Sequence, residues 1–167
     1  MNSDISIRFA TEADAGLIMA FINDLAEYEK LTHEVTASAD DIRASLFGEH
    51  AFAECLLAFG RSEAPGDGES LGFALFFHNY STFLGKPGMY LEDLFVKPEA
   101  RGRGIGKRLL ERLAQIARER GLARLEWAVL DWNNPAIEFY ESLDAEAMDD
   151  WTVFRLSGEA LERLASK

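Results

Sequence analysis

Apolar and polar positions alternate from the start of the chain: Ile5, Ile7 and Phe9 flank polar Ser6 and Arg8, the period of a half-buried strand. Thr11-Glu12-Ala13-Asp14 then has the form of a capping box, and Leu17, Ile18, Phe21, Ile22 and Leu25 recur at helical spacing to about Glu29. Ser38 predicts the cap of a second, short helix through about Phe47, and the apolar run 53–59 predicts a strand covered on both sides. Ala64-Pro65-Gly66-Asp67-Gly68 is the clearest turn signal, and with the strand predicted over 71–77 it closes a hairpin. Lys86-Pro87-Gly88 predicts another break, followed by a strand over 89–96 that Lys97-Pro98 ends. Ile105, Leu109, Leu110, Leu113, Ile116 and Ala117 mark one face of a long helix stopping at Gly121. A strand over 125–130, a short helix over 135–143 capped by Asn133 or Asn134, and a final strand over 152–156 complete the pattern.

This order calls for an α/β fold: a mixed sheet with helices on both faces. With 167 residues, 48% of them hydrophobic, and no repeat or linker, the chain is expected to form a single domain over 1–167. The balance of 17 Lys+Arg against 29 Asp+Glu gives a net charge of −12, which repels phosphodiester backbones and attracts cations, so nucleic acid is an unsuitable partner. No stretch approaches the roughly 20 apolar residues of a membrane span, and the first residues lack the basic-then-apolar order of a signal peptide. The lone Cys55 sits in an apolar run, as a buried thiol in a reducing compartment would. A cytoplasmic protein without membrane partners is therefore expected. His33, His50 and His78 show no ligand spacing, so no metal is implied.

The most informative segment is Arg101-Gly102-Arg103-Gly104-Ile105-Gly106-Lys107, between a predicted strand and a predicted helix. Successive backbone N–H groups and the positive end of the helix dipole converge there, making an anion site. A P-loop would need glycine at position 101 and Ser or Thr after the lysine, where the chain has Arg101 and Arg108. The dinucleotide fingerprint would need a third glycine where Lys107 stands. Glycines that only turn the strand into the helix are the plain alternative. What remains is Arg-x-x-Gly-x-Gly, which resembles the pyrophosphate-binding turn of the GNAT superfamily of acetyltransferases.

Two further stretches carry the resemblance. Met89-Tyr90-Leu91-Glu92-Asp93-Leu94-Phe95-Val96 is similar to the family's fourth strand, and Asn133-Asn134-Pro135-Ala136-Ile137-Glu138-Phe139-Tyr140 to its Asn-x-x-Ala-x-x-Phe-Tyr helix. Leu25-Ala26-Glu27-Tyr28-Glu29 and Gly48-Glu49-His50 extend the likeness to the diamine (spermidine/spermine) acetyltransferase branch over nearly the whole chain.

The resemblance implies a mostly antiparallel sheet that splays beside a bulged fourth strand, with acetyl-CoA held in the splay. Leu94, Phe95 and Val96 would line the cofactor, and the Leu94 amide would stabilise an oxyanion. Arg101, Gly102, Arg103, Gly104, Ile105, Gly106 and Lys107 would hold the pyrophosphate, and Asn133, Asn134, Pro135 and Ala136 would also contact the cofactor. Tyr28, Glu29, Glu126, Trp127 and Ala128 match the substrate side, Glu126 being an acid where relatives carry a histidine or a hydrophobe. Glu92 would be the general base as well as a substrate ligand, and Tyr140 would protonate the departing thiolate. Because Glu92 and Asp93 are consecutive on a strand, only one of them is expected to face the cleft. The implied reaction is direct acetyl transfer in a ternary complex to a primary amine of a diamine or polyamine. A lysine-like acceptor such as thialysine is the alternative, and a non-catalytic acetyl-CoA-binding regulatory module the alternative of another class. A homodimer is implied, with the edge strand near 152–156 as its contact.

Overall fold

The computed structural model describes residues 4–61 and 68–167, so the turn expected at 64–68 lies, Gly68 apart, outside the described residues. The chain divides into two compact units, Met1–Ala128 and Val129–Lys167.

The first unit is built on a five-stranded sheet of order β1-β2-β3-β4-β5. Its strands are β1 (Ile5–Phe9), β2 (Glu54–Gly60), β3 (Ser70–Ser81), β4 (Lys86–Val96) and β5 (Leu125–Trp127). The first four run antiparallel to their neighbours, and β5 lies parallel to β4. This is the mixed α/β sheet that the pattern calls for, mostly antiparallel as the resemblance implies.

Helices cover both faces. On one face Ile18 and Phe21 of α1 (Ala15–Glu29) and Leu46 of α2 (Ala39–Phe47) pack with Cys55, Leu57, Phe59, Phe73, Leu75 and Phe95. Side chains alternate across a strand, so the intervening buried residues Leu56, Ala58, Ala74 and Phe76 point the other way. There the apolar face of α3 (Ile105–Glu119) covers them, and its Ile105, Leu109, Leu110, Leu113, Ile116 and Ala117 are all buried. Before α1, the Thr11 backbone N–H donates to Asp14 Oδ2 (2.7 Å), and Arg8 grips both Asp14 oxygens at 2.8 and 2.9 Å. The Arg8 guanidinium holds the Asp14 carboxyl down at about 2.

Two strands run longer than their apolar runs. β3 continues through His78–Ser81 and β4 begins at Lys86, because the register Ser81↔Lys86 and Tyr80↔Pro87 zips the polar ends into one long hairpin. Pro87, expected as a breaker, sits inside β4. Near the strand's start it has no N–H to give, but its carbonyl accepts from the Ala123 N–H at 2.8 Å.

The second unit holds α4 (Asn134–Glu141) and α5 (Gly158–Ala165). The final strand expected over 152–156 does not form. Residues 151–157 have no regular structure, with Val153 87% and Phe154 91% exposed. Alternating apolar residues record an affinity for a sheet, but a strand exists only where a ladder partner accepts it, and none of the described strands pairs with this segment.

Candidate active site

The centre of the site is an irregularity in β4. Leu75 pairs with Asp93 and Phe76 with Leu91, which leaves Glu92 as an extra residue without a partner in β3, a β-bulge. Leu91 pairs with a residue of the α3 side, and Asp93 with Leu75 of the α1 side. On the other edge, β5 pairs with β4 only from Met89↔Leu125 to Leu91↔Trp127. Residues 92–96 of β4 therefore keep β3 on one side and, among the described residues, have no strand on the other, the splay that the resemblance implies. Gly72 fixes the far end, since a Cβ there would stand 2.5 Å from the Phe95 carbonyl oxygen.

Glu92 is exposed, while Asp93 is largely buried. Burial pushes the Asp93 carboxyl up to about 6, helped by the negative charges of Glu92 and Glu29. Glu29, the last residue of α1, is itself raised by burial. The fold thus draws together three carboxylates, two from β4 and one from α1. Asp93 is the residue that sequence reasoning passed over. Strict alternation leaves room for only one of two consecutive acids in the cleft; the bulge interrupts that alternation at Glu92, and the negative charges of Glu92 and Glu29 both act on Asp93. The available signal was an aspartate inside an apolar strand, where an acid is costly unless it is used.

Tyr28, one residue before Glu29, lies under the guanidinium of Arg101, 4.6 Å from its ring centroid. Arg101 Nε donates to the Val96 carbonyl at 3.0 Å, which turns this side chain back toward β4. The glycine segment turns tightly from β4 toward α3. Gly102 and Gly104 adopt φ of +76° and +74°, open to glycine and strained for other residues. Gly104 caps α3, and the amides of Ile105, Gly106 and Lys107 form its first turn, where no helical carbonyl precedes them to accept. Arg103 and Lys107 are exposed beside that turn, and Arg108 Nη1 is buried without a hydrogen-bond partner among the described residues. Donor amides, cationic side chains and one unmatched guanidinium nitrogen suit an anion such as a pyrophosphate.

Three expected contacts are qualified by the structure. The Phe95 side chain is in the core, edge-on to Phe21 at 6.3 Å, and Ile105 is 1% exposed, so each has mainly its backbone to offer a ligand. Glu126 is held in the sheet by Arg124 Nε at 2.8 Å and the Asn79 amide at 2.7 Å. Trp127 is half-buried at the end of β5, and Ala128 follows it, exposed. Leu94 and Val96 are half-buried along the open edge of β4.

In the second unit, Asn133 caps α4 through its carbonyl, which accepts from the Ala136 and Ile137 amides at 3.0 and 3.1 Å. Asn134 and Pro135 open the helix, where the fixed φ of proline suits the first turn. Asn133 is buried, and Tyr140, half-buried, has its ring 5.3 Å from that of Phe139.

The sheet, the bulged strand and the glycine turn define an acetyltransferase of GNAT type, and the sequence profile of the Acetyltransferase (GNAT) family matches residues 19–144. A thialysine N-epsilon-acetyltransferase of Bos taurus is 43% identical over 98% of each chain. An L-ornithine N5-acetyltransferase of Arabidopsis thaliana is 32% identical over 95% of this chain and 86% of its own. The solved structure of an integron cassette protein from the mobile metagenome of V. cholerae superposes with a TM-score of 0.80 at 28% identity, covering 98% of this chain and 99% of its own. The chain belongs to the GNAT acetyltransferase family and is an N-acetyltransferase acting on amines.

Proposed function

We propose that the enzyme moves an acetyl group from acetyl-CoA to the terminal amine of a lysine-like amino acid such as thialysine. The observation that carries the amine side of this reading is the group of Glu29, Glu92 and Asp93 around the β4 bulge, a concentration of negative charge suited to an alkylammonium. The choice of a lysine-like acceptor over a diamine or polyamine rests on the relatives, which are named for thialysine and ornithine.

An alkylammonium with a pKa of about 10.4 is protonated at neutral pH and cannot attack. Glu92, exposed at the bulge, takes that proton directly or through water. The Leu94 amide receives the oxyanion, and Tyr140 returns a proton to the coenzyme A sulfur, with both substrates held in one ternary complex. Amides from Gly102 to Lys107, with Arg103 and Lys107, bind the pyrophosphate, and Asn133, Asn134, Pro135 and Ala136 add cofactor contacts. Tyr28, Glu29, Trp127 and Ala128 bound the acceptor, while the ion pair to Arg124 gives Glu126 a supporting place in the sheet.

The test is a panel of thialysine, lysine, ornithine, putrescine and spermidine with acetyl-CoA, followed by thiol release. Thialysine is expected to give the largest kcat/KM. A lead for spermidine would restore the polyamine reading, and coenzyme A binding without transfer to any amine would favour a regulatory module.

The proposal includes a homodimer in a reducing, cytoplasmic setting. Cys55 is buried and its thiol is pushed well up by that burial, so it is inert to oxidation. Met148, Trp151, Val153, Phe154 and Leu156 are exposed within a short stretch of the second unit. Large aromatic and aliphatic side chains of this kind together approach the roughly 800 Å² per partner of an ordinary interface. Sedimentation equilibrium is expected to return twice the chain mass of 18.7 kDa, and a monomer at micromolar concentration would remove the dimer.

A further inference from the structure

Arg101 touches three parts of the first unit at once. It opens the glycine turn, its Nε donates to the Val96 carbonyl at the end of β4, and its guanidinium lies 4.6 Å from the ring centroid of Tyr28 in the last turn of α1. The Phe95 ring is a further 5.7 Å neighbour. Its terminal nitrogens make no hydrogen bond among the described residues, so one planar cation is held on its Nε edge and one face while its outer edge stays open. Arginine is suited to this, because its rigid fork bonds an anion in its own plane while the face of that plane stacks on a ring.

We infer that Arg101 is a positioning residue that links the cofactor turn to the acceptor side through Tyr28, so that an anion bound at the turn and the placement of the Tyr28 ring support each other. The inference rests on the acetyl-CoA reading and deepens it. A pyrophosphate oxygen that engages the outer edge of the guanidinium fixes its plane, and the fixed plane holds the ring. Linkage is reciprocal: whatever fixes the ring also favours the anion, although Tyr28 lies on α1 and not on the turn. The phenol's face meets the guanidinium.

The test is calorimetric titration with coenzyme A in the absence of any amine, so that the identity of the acceptor plays no part. Tyr28→Leu, which removes the aromatic face, is expected to weaken coenzyme A binding about three-fold, the scale of an exposed cation–π contact. Tyr28→Phe keeps the face and is expected to keep the affinity. Arg101→Ala weakens binding further, and adding Tyr28→Leu to it has no additional effect, since the link is already gone. Arg101→Met, which keeps the length of the side chain without the cation, likewise makes the affinity indifferent to Tyr28→Leu, and it serves should the alanine variant fold poorly. Unchanged affinity in Tyr28→Leu, or fully additive losses in the double variant, would overturn the link. A wild-type protein that ignores coenzyme A would instead overturn the acetyl-CoA reading on which the link depends.

Discussion

Glu92→Gln is expected to lower kcat/KM for the amine by about 10²- to 10⁴-fold, the range that a positioned general base supplies. The glutamine has nearly the same shape and stays at the bulge, but it cannot accept the ammonium proton. The pH–rate profile makes this specific. Asp93 titrates near 6 because of burial and because the charges of Glu92 and Glu29 lie nearby. Removing the Glu92 charge lets the Asp93 pKa fall, so the residual activity of Glu92→Gln should show an acidic limb displaced to lower pH. Interacting acids titrate as a set, so both single variants are needed to apportion the limb. If Asp93→Asn abolishes the limb and most of the rate while Glu92→Gln only shifts it, the base is Asp93. Tyr140→Phe is the companion control, with lower turnover expected at nearly unchanged coenzyme A affinity.

The parts of this site that were legible in the sequence are those set by local chemistry. The helical period of Ile105, Leu109, Leu110, Leu113, Ile116 and Ala117 named the buried face of α3 residue by residue, because a helix with one apolar stripe has one way to cover a sheet. The glycines before the predicted α3 marked a tight turn, and Gly102 and Gly104 do adopt positive φ there, because that conformation is a local property of the backbone. The acids were harder to read. Whether Glu92 and Asp93 face apart depends on the register with β3, and the shift between Leu75 and Phe76 is a property of the pair of strands that β4 alone does not encode. The same dependence on a partner explains the failure at 152–156. Long-range pairing also carried β3 and β4 outward through His78, Asn79 and Pro87, which carry no strand signal of their own.

Asp93→Asn is expected to make the protein more stable at pH 7.5 and no more stable at pH 4, a signature that separates a functional carboxylate from a structural one. The folded-state pKa of Asp93 is raised from 3.8 to about 6. In the unfolded chain the acid ionises near its ordinary value, so between about pH 4 and 6 the folded state holds the extra proton. Stability contributed by this group therefore falls as pH rises through that window and stays low above it, by about 3 kcal/mol at most for a shift of this size. Asparagine cannot ionise, so it avoids the cost of burying a charge beside Glu92 and Glu29. Urea unfolding of both proteins at pH 4 and pH 7.5 reads the difference directly; on a thermal scale it amounts to several degrees for a chain of this length. Equal stability at pH 7.5, or a less stable variant, would mean that Asp93 is already compensated within the fold. The proposed reading makes a linked demand: the acceptor's ammonium supplies the missing counter-charge, so saturating amine should raise the wild-type midpoint more than that of Asp93→Asn. A carboxylate that destabilises the free enzyme and is relieved by its acceptor puts the strain of the empty site to use in binding the substrate.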